Sequence, residues 1–172
     1  MLLLAAVPAC NAAPTPAPDA PRLSERDIAA LVLLANNAEV SHAQLAVSRS
    51  ARPDVQALAR RMSTDHASLN ATFTDLLARM DITPGNTEVA TTLRERSNAQ
   101  RELLRDVTAQ RFDSTYAQME IETHQELLRL VDQRLLPNAH RAELKEYLSA
   151  FRPAVRAHLA HAEQVRATLA AR

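Results

Sequence analysis

The chain has 172 residues, as many acidic as basic side chains, one glycine and 3% aromatic residues. This length suits one domain with a short tail. Strands depend on β-branched and aromatic residues and on glycine in their turns, so the composition predicts an all-α protein. With zero net charge and both signs interspersed, no long-range field favours binding to nucleic acid.

The first ten residues, MLLLAAVPAC, form an apolar segment that ends in small residues and a cysteine. This segment resembles the signal of bacterial lipoproteins, in which cleavage before the cysteine leaves a residue that carries lipid. Pro8 and the lack of a preceding basic residue depart from that pattern, and a plain secretory signal or an unstructured tail are the alternatives. We expect export to the periplasm and anchoring to the outer membrane through lipid on Cys10, the only cysteine.

Three regions follow from the change in composition along the chain. Residues 1–10 are the predicted signal peptide with its lipobox. Residues 11–22 are rich in proline and alanine, which is typical of an extended linker that holds a domain away from a membrane. Residues 23–172 are the predicted helical domain.

Helix signals divide this domain. Ser24 followed by Asp27 resembles a capping box, and a helix is predicted from about 24 to 50. Pro53 and the acidic residue after it suit the first turn of a second helix, which runs to about residue 81.

The second half of the chain begins with DITPGN, the strongest helix-breaking stretch. Residues 88–108 have a weak apolar pattern and predict one or two short helices that cover the bundle. Longer helices are predicted over about 111–136 and 139–171, with a kink at Pro153. Two long hairpins, 24–81 and 111–171, joined by a helical crossover predict a ferritin-like four-helix bundle.

Three histidines, His66, His124 and His158, occupy core positions on three different helices. At about 1.5 Å per residue, the first two lie about 20 Å from turns at opposite ends of the bundle and so meet near its middle, with the third within about two helical turns. Two carboxylates lie at the same level. Glu39 is three residues before His42 and Glu120 is four residues before His124, so each pair shares one helix face. The resulting candidate cluster contains Glu39, His42, His66, Glu120, His124 and His158.

This cluster permits two interpretations. A complete di-iron site does not fit, because only Glu39 and His42 have the Glu-x-x-His spacing that such sites need on two helices. One interpretation is a hydrogen-bonded histidine–carboxylate network that fixes the register of the bundle. The other is a single iron, zinc or copper ion. The metal ligands would then be drawn from Glu39, His66, Glu120, His124 and His158.

Two further residues lie beside the cluster in sequence. Asp65 is about 100° around its helix from His66, so we expect it to face outward or towards the neighbouring helix. His161 is three residues from His158 and is able to share its helix face. The chain lacks the sequence motifs of serine nucleophiles, zinc proteases and phosphate-binding loops.

Three segments carry a family resemblance over about residues 28–165. They are AEVSHAQLAVSRSARPDVQALARRMSTDHASLN, RFDSTYAQMEIETHQELL and FRPAVRAHLAHAE. They resemble an uncharacterised bacterial family of exported, ferritin-like helical proteins, catalogued as a domain of unknown function and often labelled outer membrane proteins. The resemblance implies the fold and export, and no settled activity. The matching positions are Glu39, Asp65, His66, Phe112, Asp113, Tyr116, His124 and His158.

Asp113 is interpreted as the cap of the fourth helix and Phe112 as its anchor. For the whole chain, the sequence favours a lipid-anchored helical bundle that acts in the cell envelope, through a protein partner or in stress-related metal handling. The alternative is a metal-binding redox protein that uses the histidine–glutamate cluster.

Overall fold

A computed structural model describes residues 22–171, which form helices joined by short turns and contain no strand. The predicted signal, lipidation site and most of the linker lie outside these residues. None of the helices in the described range combines the length and apolar character needed to cross a bilayer. The main helices are α1 (Glu25–Arg49), α2 (Pro53–Arg79), α3 (Glu88–Asp106), α4 (Ala109–Leu130) and α5 (Ala142–Ala170).

Four of the helices form the predicted bundle. Helix α1 packs along α2 as one hairpin and α4 packs along α5 as the other, while α1 also contacts α4 and α2 contacts α5. Helix α3 lies outside this bundle against α1 and touches α4. The structure therefore confirms the all-α, ferritin-like arrangement and resolves the crossover as a single helix.

The start of α1 follows from its capping residues. The backbone N–H of Asp27 donates to the Ser24 hydroxyl at 3.2 Å, and the Asp27 carboxylate accepts from the backbone N–H of Ser24 at 2.8 Å. The chain's only glycine lies against this turn, where its N–H donates to the Arg26 carbonyl at 2.8 Å. A Cβ on Gly85 would stand 3.3 Å from the Asp27 carboxylate, so glycine permits this close approach.

The helix predicted over 111–136 is not continuous. Helix α4 ends at Leu130, and a π-helical turn follows over Val131–Leu135 before a short helical turn over Leu136–Asn138. Pro137 has no N–H to continue the regular hydrogen-bond pattern, which accounts for the change in helix type near this end. The last helix, by contrast, continues through Pro153.

The interpretation of Asp113 as a helix cap is wrong. Helix α4 begins at Ala109 with Thr108 as the residue before it, so Asp113 lies inside the first turns. Phe112 is buried in the core, as its predicted anchoring role requires. The helical hydrogen bonds of α4 begin before Phe112, so the N-cap position is Thr108, upstream of both Phe112 and Asp113.

A layer of polar side chains divides the core of the bundle. An apolar cluster on one side includes Leu31, Phe73 and Leu148, and a second cluster on the other side includes Leu58, Met62 and Phe112. Each bundle helix passes through both clusters. The buried polar layer between them contains Asn36, Glu39, His66, Glu120, His124 and His158.

Candidate metal centre

Three buried imidazole rings form the centre of the polar layer. His66 on α2, His124 on α4 and His158 on α5 are each at most 1% exposed. Their ring centroids are 5.6, 4.9 and 5.4 Å apart, and one ring nitrogen of each residue lies within 4.8 Å of one from each of the others. The expectation that the first two meet at mid-bundle is confirmed, and His158 lies at the same level.

Two of the rings are oriented by residues on α1 and α4. The Nδ1 atom of His66 lies 2.9 Å from the side-chain oxygen of Asn36. The Nδ1 atom of His124 lies 2.8 Å from the backbone carbonyl of Glu120. Both oxygens accept hydrogen bonds, so each Nδ1 carries the proton and each Nε2 keeps a lone pair.

The third ring is oriented by the residue next to His66. The Nε2 atom of His158 donates to the Asp65 carboxylate at 2.8 Å, which leaves the lone pair on its Nδ1. Asp65 therefore faces the neighbouring helix, one of the two directions expected for it. Asp65 fixes the orientation of the His158 ring through Nε2, on the side of the ring opposite Nδ1.

The three remaining ring nitrogens lack ordinary partners. The Nε2 atoms of His66 and His124 and the Nδ1 atom of His158 are buried and have no hydrogen bond among the described residues. Buried polar atoms are normally paired. Metal-binding histidines characteristically donate their second ring N–H to a carbonyl or carboxylate, as all three do here. The arrangement therefore presents three lone pairs suited to one metal ion.

Burial also keeps two of these rings, His66 and His158, uncharged. It lowers the pKa of His66 to about 4, and the neighbouring Glu39 opposes this only in part. Burial likewise lowers the pKa of His158, although the hydrogen bond from its ring to Asp65 works in the other direction. At neutral pH these two imidazoles are consequently uncharged, and each keeps one nitrogen lone pair available for a ligand bond.

A carboxyl pair adjoins the histidines. Glu39 on α1 and Glu120 on α4 are each 1% exposed, and each offers an oxygen within 4.8 Å of the other and of a His124 nitrogen. Burial and then the negative charge of Glu39 raise the pKa of Glu120 well above its ordinary value. Burial opposes ionisation of Glu39 too, while a side-chain hydrogen bond with Glu120 favours it, and the pKa of Glu39 is lowered. The pair thus keeps one proton on Glu120, and Glu39 is the anionic donor nearest the histidines.

Some predicted members are not part of the site. His42 is buried, but its Nε2 lies 3.2 Å from the backbone carbonyl of Ser97, so the ring faces α3. The three-residue spacing between Glu39 and His42 predicts that both lie on one face of α1. It does not predict which neighbouring helix each side chain contacts. His161 is only half-buried and belongs to neither group of candidate ligands in the described chain.

Two supporting roles were missed by the sequence reasoning. Asn36 orients His66. The sequence pattern that could have identified it is helical spacing, since Asn36 lies four residues after Val32 and three before Glu39 and so shares their helix face. Tyr116, noted only for its family resemblance, lies beside Glu120, and burial followed by that acidic neighbour raises the pKa of its phenol well above the usual value. Its hydroxyl has no hydrogen bond of ordinary geometry within the described residues.

The fold and the polar layer define a ferritin-like helical bundle with a buried histidine–glutamate cluster. The chain matches the DUF4142 family, described as a domain of unknown function, over residues 10–165, and it belongs to that family. It is also similar to a solved structure titled "Crystal structure of DUF305 fragment from Deinococcus radiodurans". The two share 16% sequence identity with a TM-score of 0.72, over 86% of this chain and 99% of that one, which supports the fold. No curated protein matches the chain.

Proposed function

We propose that this domain binds one transition-metal ion at His66, His124 and His158, with Glu39 as a carboxylate donor. The observation that carries the proposal is the trio of buried ring nitrogens without hydrogen-bond partners, each on a ring fixed through its other nitrogen. A hydrogen-bonded network that served only the register of the bundle would pair these atoms with one another or with neighbours. A metal ion satisfies all three at once.

The donor set narrows the class of metal. Imidazole nitrogen with carboxylate oxygen suits zinc, iron and copper, while it is a poor match for calcium or magnesium, which prefer oxygen ligands. The negative charge on Glu39 offsets part of the charge of a divalent ion, which lowers the cost of burying it. Zinc, iron and copper are therefore the ions to test.

We also propose that the domain works outside the cytoplasm, held to the outer membrane by lipid on Cys10. The apolar first ten residues and the Pro/Ala-rich linker after them support this arrangement. In that location a buried metal site suits stress-related metal handling in the envelope, alone or with an envelope protein partner. Cys10→Ser should release the protein from the membrane fraction of its host, and retention there would contradict the lipid anchor.

Metal content tests the central proposal. The full chain carrying Cys10→Ser, which removes the only thiol, is loaded separately with zinc, iron(II) and copper(II) and then desalted. We expect one ion per chain for at least one of these metals. His66→Gln, His124→Gln and His158→Gln should each weaken binding at least about 100-fold, because each removes a ligand.

Two control variants locate the site. His140→Gln changes an exposed histidine, and His42→Gln changes a buried one that faces α3. Both should retain the bound ion with unchanged stoichiometry. A chain that remains free of all three metals, or central variants that bind as tightly as the parent, would contradict the metal site and favour the register network.

A further inference from the structure

We propose that the carboxyl pair of Glu39 and Glu120 binds a second cation, next to the ion held by the histidines. The position offers oxygen ligands and fits a divalent cation such as manganese(II). The inference rests on the proposed metal site, because the first ion takes up the histidine nitrogens and leaves carboxyl oxygens for the second.

The candidate ligands fall into two groups that have only His124 in common. One group consists of His66, His124 and His158, and the other of Glu39, Glu120 and His124, with the ligand atoms of each group within 4.8 Å of one another. The Nδ1 atom of His124 lies 2.8 Å from the Glu120 carbonyl, so the ring keeps one lone pair, which the first ion uses. The carboxyl groups therefore gather about a different point from the imidazoles, and His124 places the two points side by side.

The carboxyl pair has more oxygen atoms than a shared proton is able to satisfy. The Oε2 atom of Glu39 and both side-chain oxygens of Glu120 are buried and have no hydrogen bond of ordinary geometry within the described residues. A proton shared by two carboxyl groups lies between one oxygen of each, so a second Glu120 oxygen remains. Burying such an atom without a partner is costly. A cation beside the pair supplies a partner for both carboxylates.

Tyr116 supplies a further oxygen on the Glu120 side of the pair. It precedes Glu120 by four residues, so the two side chains share one face of α4. The phenol is 0% exposed, and its hydroxyl has no hydrogen bond of ordinary geometry in the described part of the chain. This buried hydroxyl beside the carboxyl pair is an independent observation that points to a ligand at the same position.

The donor set of this position differs from that of the histidine site. Carboxylate oxygens suit manganese(II), whereas imidazole nitrogens suit zinc, iron and copper. The two positions are therefore unequal, unlike those of a di-iron carboxylate site, where both ions draw on glutamate and histidine. Glu39 has two oxygens and is able to serve both ions, which lie about 3.5–4 Å apart in two-metal sites. A cation displaces the proton of Glu120, and the negative charge that results lowers the cost of burying the ion.

Sequential loading tests the second position. The full chain with Cys10→Ser is loaded with one equivalent of zinc and desalted. Manganese(II) is then titrated, and electron paramagnetic resonance measures the ion that stays free in solution. Manganese(II) binds a given site more weakly than zinc does, so it leaves the zinc in place. We expect one manganese ion per zinc-loaded chain.

Two conservative variants remove the proposed oxygen ligands, and each has a matched control. Glu120→Gln should retain one zinc, because the backbone carbonyl of this residue orients His124, but should weaken manganese(II) binding at least about 100-fold. Tyr116→Phe should weaken it at least about tenfold. Glu122→Gln changes an exposed carboxylate on the same helix, and Tyr147→Phe removes a hydroxyl that donates to a backbone carbonyl at 3.0 Å. Both controls should bind zinc and manganese(II) as the parent does.

The possible failures are distinguishable. A zinc-loaded chain that binds no manganese(II) overturns the second position but leaves the histidine site intact. Manganese(II) binding that is unchanged in Glu120→Gln, or that is weakened equally in Glu122→Gln, overturns the carboxyl pair as its location. A chain that retains neither ion overturns this inference together with zinc as the first metal.

Discussion

At the scale of single residues, the orientation of a ring decides what His66 is able to do. Its position on the apolar face of α2 makes it buried, and burial lowers its pKa to about 4. Asn36 then determines which nitrogen carries the proton and which keeps the lone pair. A ligand role thus depends on a neighbour thirty residues earlier in the chain.

The supporting role of Asn36 is open to a direct test. Asn36→Ala removes the acceptor for the His66 Nδ1–H, which should lower the free energy of unfolding of the metal-free protein by about 1–3 kcal/mol. It should also weaken metal binding about 10-fold to 100-fold, because supporting hydrogen bonds orient metal ligands. Denaturant unfolding and metal titration measure the two effects.

The adjacent asparagine supplies a matched control. Asn37 accepts a hydrogen bond from Asn70 at the surface, 2.6 Å away, and has no part in the polar layer. Asn37→Ala should leave metal affinity unchanged and should alter stability by less than about 0.5 kcal/mol. If both alanine variants behave alike, Asn36 does not orient the ring.

Acid should destabilise the metal-free protein through His66. Its pKa is about 4 in the folded protein and 6.5 ordinarily, so the unfolded chain binds a proton that the folded chain excludes. The contribution is fully present above about pH 6.5 and is lost as the pH falls towards 4, for a total of about 3 kcal/mol. Urea unfolding at successive pH values should show stability rising with pH across this window.

The neutral variant His66→Gln isolates that contribution. It lacks the titrating ring, so its stability should depend less steeply on pH between 4 and 6.5 than that of the parent. Parallel pH profiles of the two proteins would show that burial does not suppress protonation of His66.

At the scale of helices, one side chain of α1 binds the C-terminal end of α3. The Arg49 guanidinium donates to the backbone carbonyls of Leu104, Arg105 and Val107, at 2.7 Å and 2.9 Å for the last two. It also lies 4.7 Å from the centre of the Phe112 ring. These carbonyls lie at the C-terminal end of α3. The last carbonyls of a helix have no N–H partner within the helix, and the Arg49 guanidinium supplies donors for them.

Removing this guanidinium should loosen the end of α3. Arg49→Met keeps an apolar stem but removes the donors, and we expect about 1–2 kcal/mol less protection of the last amides of α3 in hydrogen exchange. Arg60→Met is the control, since Arg60 is exposed and donates to Gln56 on its own helix. Unchanged protection in Arg49→Met would assign the docking of α3 to its apolar contacts.

At the scale of the whole molecule, the proposed metal site joins the two hairpins of the bundle. Its proposed ligands come from α1, α2, α4 and α5, so metal binding requires the folded bundle. A ligand at 100 times its Kd stabilises a folded protein by about 2.7 kcal/mol. For a domain of this size we therefore expect zinc at that excess to raise Tm by about 5–10 °C.

Calorimetry with and without zinc measures this shift. His124→Gln should abolish it, because this ring belongs to both groups of candidate ligands in the described chain. A shift of equal size in the variant would place the stabilising ion elsewhere in the protein.

Much of this architecture follows from local signals in the sequence. The capping residues Ser24 and Asp27, the breaks at Pro53 and Gly85, and seams with a regular helical period predicted the hairpins to within a few residues. These signals act between neighbours in the chain, through backbone geometry and one-sided burial, so they are readable without the fold. The π-helical turn and the true start of α4 were missed because competing positions a few residues apart have similar local preferences.

Helical periodicity and the positions of the turns were enough to predict a buried cluster near the middle of a four-helix bundle, because they fix depth along each helix. The predicted members were Glu39, His42, His66, Glu120 and His124, with His158 within about two helical turns. The directions in which the rings point depend instead on how the helices pack against one another. The rotation of each helix places Asn36 and Asp65 behind their imidazoles and turns His42 towards α3. These contacts join residues far apart in the chain, so they depend on the rotation of one helix against another and not on local sequence. The lone pairs that define the proposed metal site are therefore a property of the packed bundle.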